Sequence, residues 1–121
     1  MSRDVAAVDL VRLRDMLDYA LRAMEHVEGI DEPAFRRSRL HQDAVIRALS
    51  VVGEAANAVS PAWRLAHPDL PWRLMTGMRN RLVHDYGGVA LPVIWSTVRD
   101  HLPDLVTQLR AILPPGETSS P

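Results

Sequence analysis

The sequence predicts an all-α protein: an antiparallel four-helix bundle, with Pro103 marking where a short fifth helix could begin. Three observations predict it. Four segments carry apolar residues at three- and four-residue steps, and none shows the alternation of a half-buried strand. The links between them are short and marked by Gly and Pro, as bundle connections are. The chain has 121 residues, 47% apolar and 24% charged, which is enough for one core and not for two. The expected organisation is a single bundle over residues 1–113 and a disordered tail over 114–121, where three prolines and small polar residues gather.

The first helix is expected from about Asp4 to Glu28. Its stripe is Leu10, Leu13, Leu17, Ala20, Leu21 and Met24. Asp18 and Arg22 form an i,i+4 pair on the outer side, and Gly29 is the stop. The second helix is expected to run unbroken from about Pro33 to Val59. Asp31 is its N-cap candidate and Val45, Leu49, Val52, Ala56 and Val59 its stripe. Gly53 costs on the order of 1 kcal/mol inside a helix. With Ala56 and Asn57 it offers a small-residue face to a neighbouring helix. Arg36, Arg37 and Arg39 fall near the start of this predicted helix, the unfavourable end for positive charge. A solvated face explains them, and a phosphate contact is the alternative.

Residues 60–71, with Pro61, Pro68 and Pro71, read as a connector. The third helix is expected from Pro71 to His84 or Asp85, with Trp72, Met75, Met78 and Leu82 inward and Gly87-Gly88 as the stop. The fourth runs from Leu91-Pro92 to Leu113, with Ile94, Val98, Leu102, Leu105, Leu109 and Ile112 as its stripe. Pro103 falls inside it and predicts a kink or break.

Composition excludes several classes of function. Cysteine is absent, which removes disulfide scaffolds, thiolate metal sites and cysteine nucleophiles. No apolar run approaches the roughly 18 residues of a membrane span. The opening Met-Ser-Arg-Asp leads into a charged segment without a signal-peptide apolar region, so the expected location is the cytoplasm, with no membrane partner. Every one of the 14 basic residues is arginine, and the formal net charge is -1. There is no global electrostatic funnel for nucleic acid, so any phosphate contact must come from a local patch.

The five histidines, His26, His41, His67, His84 and His101, are scattered, with no two at metal-ligand spacing. No metal site and no cofactor is expected. One constellation stands out: Arg79-Asn80-Arg81-Leu82-Val83-His84-Asp85-Tyr86. A histidine can move the proton of a 2′-hydroxyl or a leaving oxygen near neutral pH. An arginine can clamp a scissile phosphate and stabilise its transition-state charge. Asn80 lies i,i+4 to His84 and can orient the imidazole. Arg79 and His84 are five apart, about 140° around an ideal helix, so they converge only if the helix loosens or if two chains build the site. The same residues also suit a plain helix end, where arginines complement the dipole.

Arg79-x4-His84-x-Tyr86 resembles the R-x4-6-H-x-Y signature of HEPN-domain ribonuclease toxins, specifically the HepT-like group. Composition alone would give such a match in roughly one chain in a hundred. Gly53-Glu54-Ala55-Ala56 and Ile94-Trp95-Ser96-Thr97-Val98, with Leu102-Pro103 after it, are also similar to that family, so the resemblance spans nearly the whole chain. It implies a metal-independent endoribonuclease, the toxin of a type VII-like toxin–antitoxin pair. Arg79 and His84 would be the catalytic pair and Asn80 and Asp85 supporting residues. A homodimer would bring two motifs into one cleft, with RNA as substrate. The implied partner is a minimal nucleotidyltransferase antitoxin that moves AMP from ATP onto Tyr86. One departure is Gly87, which stands where the family often has an aromatic residue. The competing readings are a non-catalytic helical partner, or nucleotide-binding module, of a nucleotidyltransferase, and a generic interaction bundle. Glu54 could face the core or the cleft. Trp72 and Trp95, read as exposed, suggest an interface.

Overall fold

The computed structural model describes residues 3–77 and 91–114, with side chains from residue 7 onward. The described residues are helical, without strands: α1 (Arg3–His26), α2 (Glu32–Arg37), α3 (Arg39–Ala58), α4 (Pro61–Ala66), α5 (described over 72–77), α6 (Leu91–Ser96), one π-helical turn (Thr97–His101) and α7 (Leu102–Ile112). The predicted all-α class stands. Two of the four predicted helices are subdivided, and one predicted link contains a helix.

Among the described residues, the α1–α3 pair forms the largest helix–helix contact. Asp9 near the start of α1 bonds Ser60 just past the end of α3, so the two run antiparallel. The inward face of α1 is Leu13, Met16, Leu17, Ala20 and Ala23, all at most 4% exposed. That face is turned slightly from the predicted one: Leu10, Leu21 and Met24 sit at its edge, half-buried. Opposite lie Val45, Ala48, Leu49, Val52, Gly53 and Ala56 of α3. Of the predicted small-residue face, Gly53 and Ala56 are buried and Asn57 is exposed. Each fully buried leucine, valine or methionine contributes roughly 1.5–3 kcal/mol. Gly29, in the turn three residues past the end of α1, has φ +80, the left-handed conformation that glycine adopts without steric cost.

The second predicted helix is broken at Ser38. Asp31 caps α2 through a 3.0 Å bond from the Ala34 N–H. Seven residues after Asp31, Ser38 leaves helical geometry (φ -117, ψ 104), and its hydroxyl accepts from the His41 N–H to cap α3. The break lets α2 turn Phe35, 0% exposed, into the core. It also reverses one expectation. Arg36 and Arg37 occupy the last turn of α2, where positive charge is favourable, and only Arg39 stands at a helix start.

The connector holds α4, capped by Ser60 with Pro61 in its first turn. The predicted break near Pro103 takes the form of the π turn just before it: the Leu102 N–H bonds Thr97 O, five residues back. Pro103 cannot donate to Arg99 and its ring would crowd that carbonyl in a regular helix. The wider turn moves the carbonyl aside and puts Pro103 in the first turn of α7. The predicted tail lies almost wholly in 115–121, outside the described residues.

Candidate functional site

Of the predicted site residues, Arg79, Asn80, His84, Asp85 and Tyr86 all lie outside the described residues, as do Met78, Leu82 and Gly87-Gly88. The structure describes the two helices that lead into and out of that segment.

On the way in, the chain is fixed by aromatic and hydrogen-bonded contacts. The Trp72 indole N–H donates to His67 O at 2.9 Å. Trp63 stacks on His67, ring centroids 3.7 Å apart, and meets Trp72 edge-on at 6.2 Å. Met75, 3% exposed, lines a small apolar gap together with Leu49, Val52, Leu102 and Leu105. Gln108 on α7 donates to Asp69 O at 3.1 Å and holds the link before α5.

On the way out, Leu91 opens α6, and Ile94 at 2% exposure anchors it. Trp95 then packs on Phe35 of α2, ring centroids 5.4 Å apart and planes at 41°. The Arg99 guanidinium lies over the same indole, 5.4 Å from its centroid. Arg99 is itself exposed, so this cation–π contact contributes about 0.5–1 kcal/mol, the range of solvent-accessible pairs. Trp72 and Trp95, expected to be exposed, are half-buried. Their rings hold the helices that flank the motif segment, which is why they are not free for a partner.

The charges at this end are unevenly compensated. Arg36 pairs with Glu32 at 3.1 Å. Arg37 and Arg39 are exposed and have no ion pair among the described residues. From Pro33 to Gln42 the chain carries three arginines and a histidine and no carboxylate. Glu54, left open by the sequence, is exposed on α3. Among the described residues, no three His, Asp or Glu side chains are grouped to hold a metal ion.

Sequence reasoning missed the opposite end altogether. Asp9 is 2% exposed, and its carboxylate accepts from the Ser60 N–H at 2.9 Å and the Ser60 hydroxyl at 2.7 Å. Ser60 Oγ in turn accepts from the Trp63 N–H at 3.2 Å. Arg64 closes the arrangement by donating to Val59 O at 3.2 Å and Asn57 O at 3.3 Å, which satisfies carbonyls at the end of α3. The signal was present: Asp9 stands four residues before Leu13 and seven before Met16, on the buried face of α1.

The described residues define an all-α helical bundle in which Trp72 and Trp95 brace the helices on either side of residues 78–90. Residues 16–112 match the family described as ribonuclease HepT-like. The chain is 33% identical over 110 residues to a protein of Methanocaldococcus jannaschii that carries an RNase name, covering 91% of this chain and 97% of that one. It is 38% identical over 101 residues to a Thermococcus cleftensis protein named as a ribonuclease HepT, covering 76% and 90%. A third relative, named as an RNase of Caldanaerobacter subterraneus, is 34% identical over 90 residues, covering 74% and 80%. No solved structure matches the chain. The chain belongs to the HepT-like ribonuclease family.

Proposed function

We propose that this protein is a toxin-type endoribonuclease that cleaves RNA without a metal ion and is silenced by AMP transfer to Tyr86. The observation that carries the reading is the coincidence of Arg79-x4-His84-x-Tyr86 with the span matched to the HepT-like family, residues 16–112. In this reading the 2′-hydroxyl attacks the adjacent phosphorus, the P–O5′ bond breaks, and a 2′,3′-cyclic phosphate is left. His84 moves the proton. Arg79 faces the phosphate and stabilises the charge that builds on it. Asn80 and Asp85 orient these two groups. A homodimer that brings two motifs into one cleft removes the 140° separation of Arg79 and His84 along a helix.

Silencing follows the same electrostatics. The Tyr86 oxygen attacks the α-phosphorus of ATP, pyrophosphate leaves, and the phenolic proton goes to solvent. Each AMP adds negative charge and bulk two residues from His84, which repels an RNA phosphate. The cognate enzyme is a minimal nucleotidyltransferase acting as antitoxin, and the cytoplasm is where both would meet RNA.

The test is RNA cleavage in EDTA by wild type and by His84→Ala, with end-group analysis and intact mass. The expected result is cyclic-phosphate ends from unmodified wild type and a loss of about 100-fold or more in the variant. An unmodified, folded and inactive wild type would overturn the ribonuclease reading in favour of a non-catalytic partner of the nucleotidyltransferase.

A further inference from the structure

We infer that the groove between α4 and the start of α5 binds a nucleotide of single-stranded RNA, its base against Leu65 and Trp72 and its phosphates on Arg64 and Arg73. The inference rests on the ribonuclease reading and adds a substrate-holding surface to it.

The groove is a hollow of about 410 Å³ whose walls include Arg64, Leu65, Pro68, Pro71, Trp72 and Arg73. Sites for small molecules typically span about 300–1,000 Å³. Two of the walls are fixed. The Trp72 indole N–H is tied to His67 O at 2.9 Å, and Trp63 meets the same ring edge-on. Arg64 donates through Nε to Val59 O at 3.2 Å and through one terminal nitrogen to Asn57 O at 3.3 Å. A guanidinium carries further N–H donors beyond those two, so the bonds hold it in place without exhausting it. Arg73 is exposed and has no ion pair among the described residues. Leu65 is 81% exposed, a large apolar side chain that adds nothing to the core and lines the same hollow as two cations.

Charge is separated along this link. A second hollow, about 400 Å³, shares Pro71 with the first, and its walls include Asp69, His101 and Asp104. Asp69 lies between Arg64 and Arg73 in the chain, yet it lines the second hollow and not the first. Gln108 keeps it there by donating to Asp69 O at 3.1 Å. Among the described residues, the first hollow is lined by two arginines and no carboxylate, and the second by two carboxylates and no arginine. An anion is attracted to the first and repelled by the second.

The apolar wall selects the kind of anion. A small inorganic ion would leave Leu65 and Trp72 in water. A nucleotide covers them: every base has a flat face that an aromatic side chain takes regardless of sequence, and a guanidinium binds phosphate through paired hydrogen bonds. Aromatic and arginine side chains in one groove are the combination that single-strand binding surfaces use. A near-neutral protein acting on RNA needs such a local site, because no overall field draws the substrate in.

The test is binding of a fluorescent oligouridylate to unmodified full-length protein at several salt concentrations. His84→Ala serves as the background so that the probe stays intact. Leu65→Glu sets a negative charge on the base wall and should weaken binding about tenfold or more. Arg73→Gln should lower the slope of log K against log salt by about 0.7, one phosphate contact of a single strand. Arg22→Gln removes the same charge about 20 Å along α1 from the Asp9 end, beyond the Debye length of about 10 Å at 0.1 M salt, and should leave the slope unchanged. An abasic ribose-phosphate chain of the same length should bind at least about fivefold more weakly than the oligouridylate. An unaltered affinity in Leu65→Glu or an unaltered slope in Arg73→Gln, with far-UV CD as for the parent, overturns the groove. Equal binding of the abasic chain overturns the base contact and with it the nucleotide. A labelled glutamate–leucine peptide that binds more tightly than the RNA, through the same two residues, also overturns it and makes the groove a dock for an acidic protein segment. The two levels separate: if the ribonuclease reading fails, unmodified wild type does not cut RNA, whereas if only the groove fails, wild type cuts and the variants bind as their parent does.

Discussion

The two ends of the bundle are closed by different chemistry. Where α1 begins and α3 ends, a buried carboxylate, a capping serine and an arginine on carbonyls form one hydrogen-bonded latch. Where α2 meets α6, closure is by rings: Phe35 in the core, Trp95 against it and Arg99 over Trp95. The latch satisfies its own polar groups. The ring closure engages Arg99 but not Arg37 or Arg39, which have no ion pair among the described residues, and it stands where the chain re-emerges from the motif segment. Polar groups stabilise one end of the molecule and remain available at the other.

Substitutions can break this contrast or sharpen it. The largest effect is expected at the ring end. Phe35→Ala should cost about 3–5 kcal/mol, since it empties a fully enclosed site and releases Trp95; urea unfolding measures it, and a loss under about 1 kcal/mol would mean that α2 is not an integral part of the core. At the latch, Asp9→Ala should cost about 2–3 kcal/mol, because two hydrogen bonds to a buried carboxylate go and the half-buried Ser60 N–H and hydroxyl lose their acceptor. The same denaturation series reads it, and a loss under about 0.5 kcal/mol would show that the carboxylate does not hold the two helix ends together. Ser60→Ala should cost about 1–2 kcal/mol through the lost cap. A double-mutant cycle with Asp9→Ala should give clear coupling, and strict additivity would show that the two act separately. The smallest effect belongs to Asp18→Asn. It breaks the 3.3 Å pair with Arg22, which has both side chains well exposed. The expected change is under about 0.5 kcal/mol and is removed by salt.

Much of this fold was legible in the sequence, and the exceptions share a cause. The stripes of α3 and of the last helical run are buried as predicted, except for Ile112 at the end, which is half-buried, because burial there is decided by a period that local sequence carries. The Asp18–Arg22 pair was legible for the same reason. Ser38 and Ser60 are hidden as N-caps. The first sits within a helical period, and the second precedes a proline that reads as a breaker until its place in the first turn of α4 is seen. The Asp9–Ser60 bond joins residues 51 apart, and no window along the chain connects them. Of the site, Arg79, His84 and Tyr86 stand out in the sequence because the motif is compressed into eight residues, and all three lie outside the described residues. The Phe35–Trp95–Arg99 arrangement was not, since it depends on how α2 folds back after the break at Ser38.

The π turn at Thr97–His101 has a consequence for the length of the chain itself. On an unbroken α-helix at about 100° per residue, the buried residues before the turn, Ile94, Thr97 and Val98, would point roughly 80° away from those after it, Leu102 to Leu109. That offset is close to one residue of rotation, and the wide turn absorbs it, so both faces meet the same core. The turn therefore stores one surplus residue. Deleting Asp100 together with Pro103→Ala would convert the three pieces into a continuous α-helix with its apolar face still aligned. A one-residue deletion inside α1 or α3, where no slack is held, would turn half of a helix out of the core.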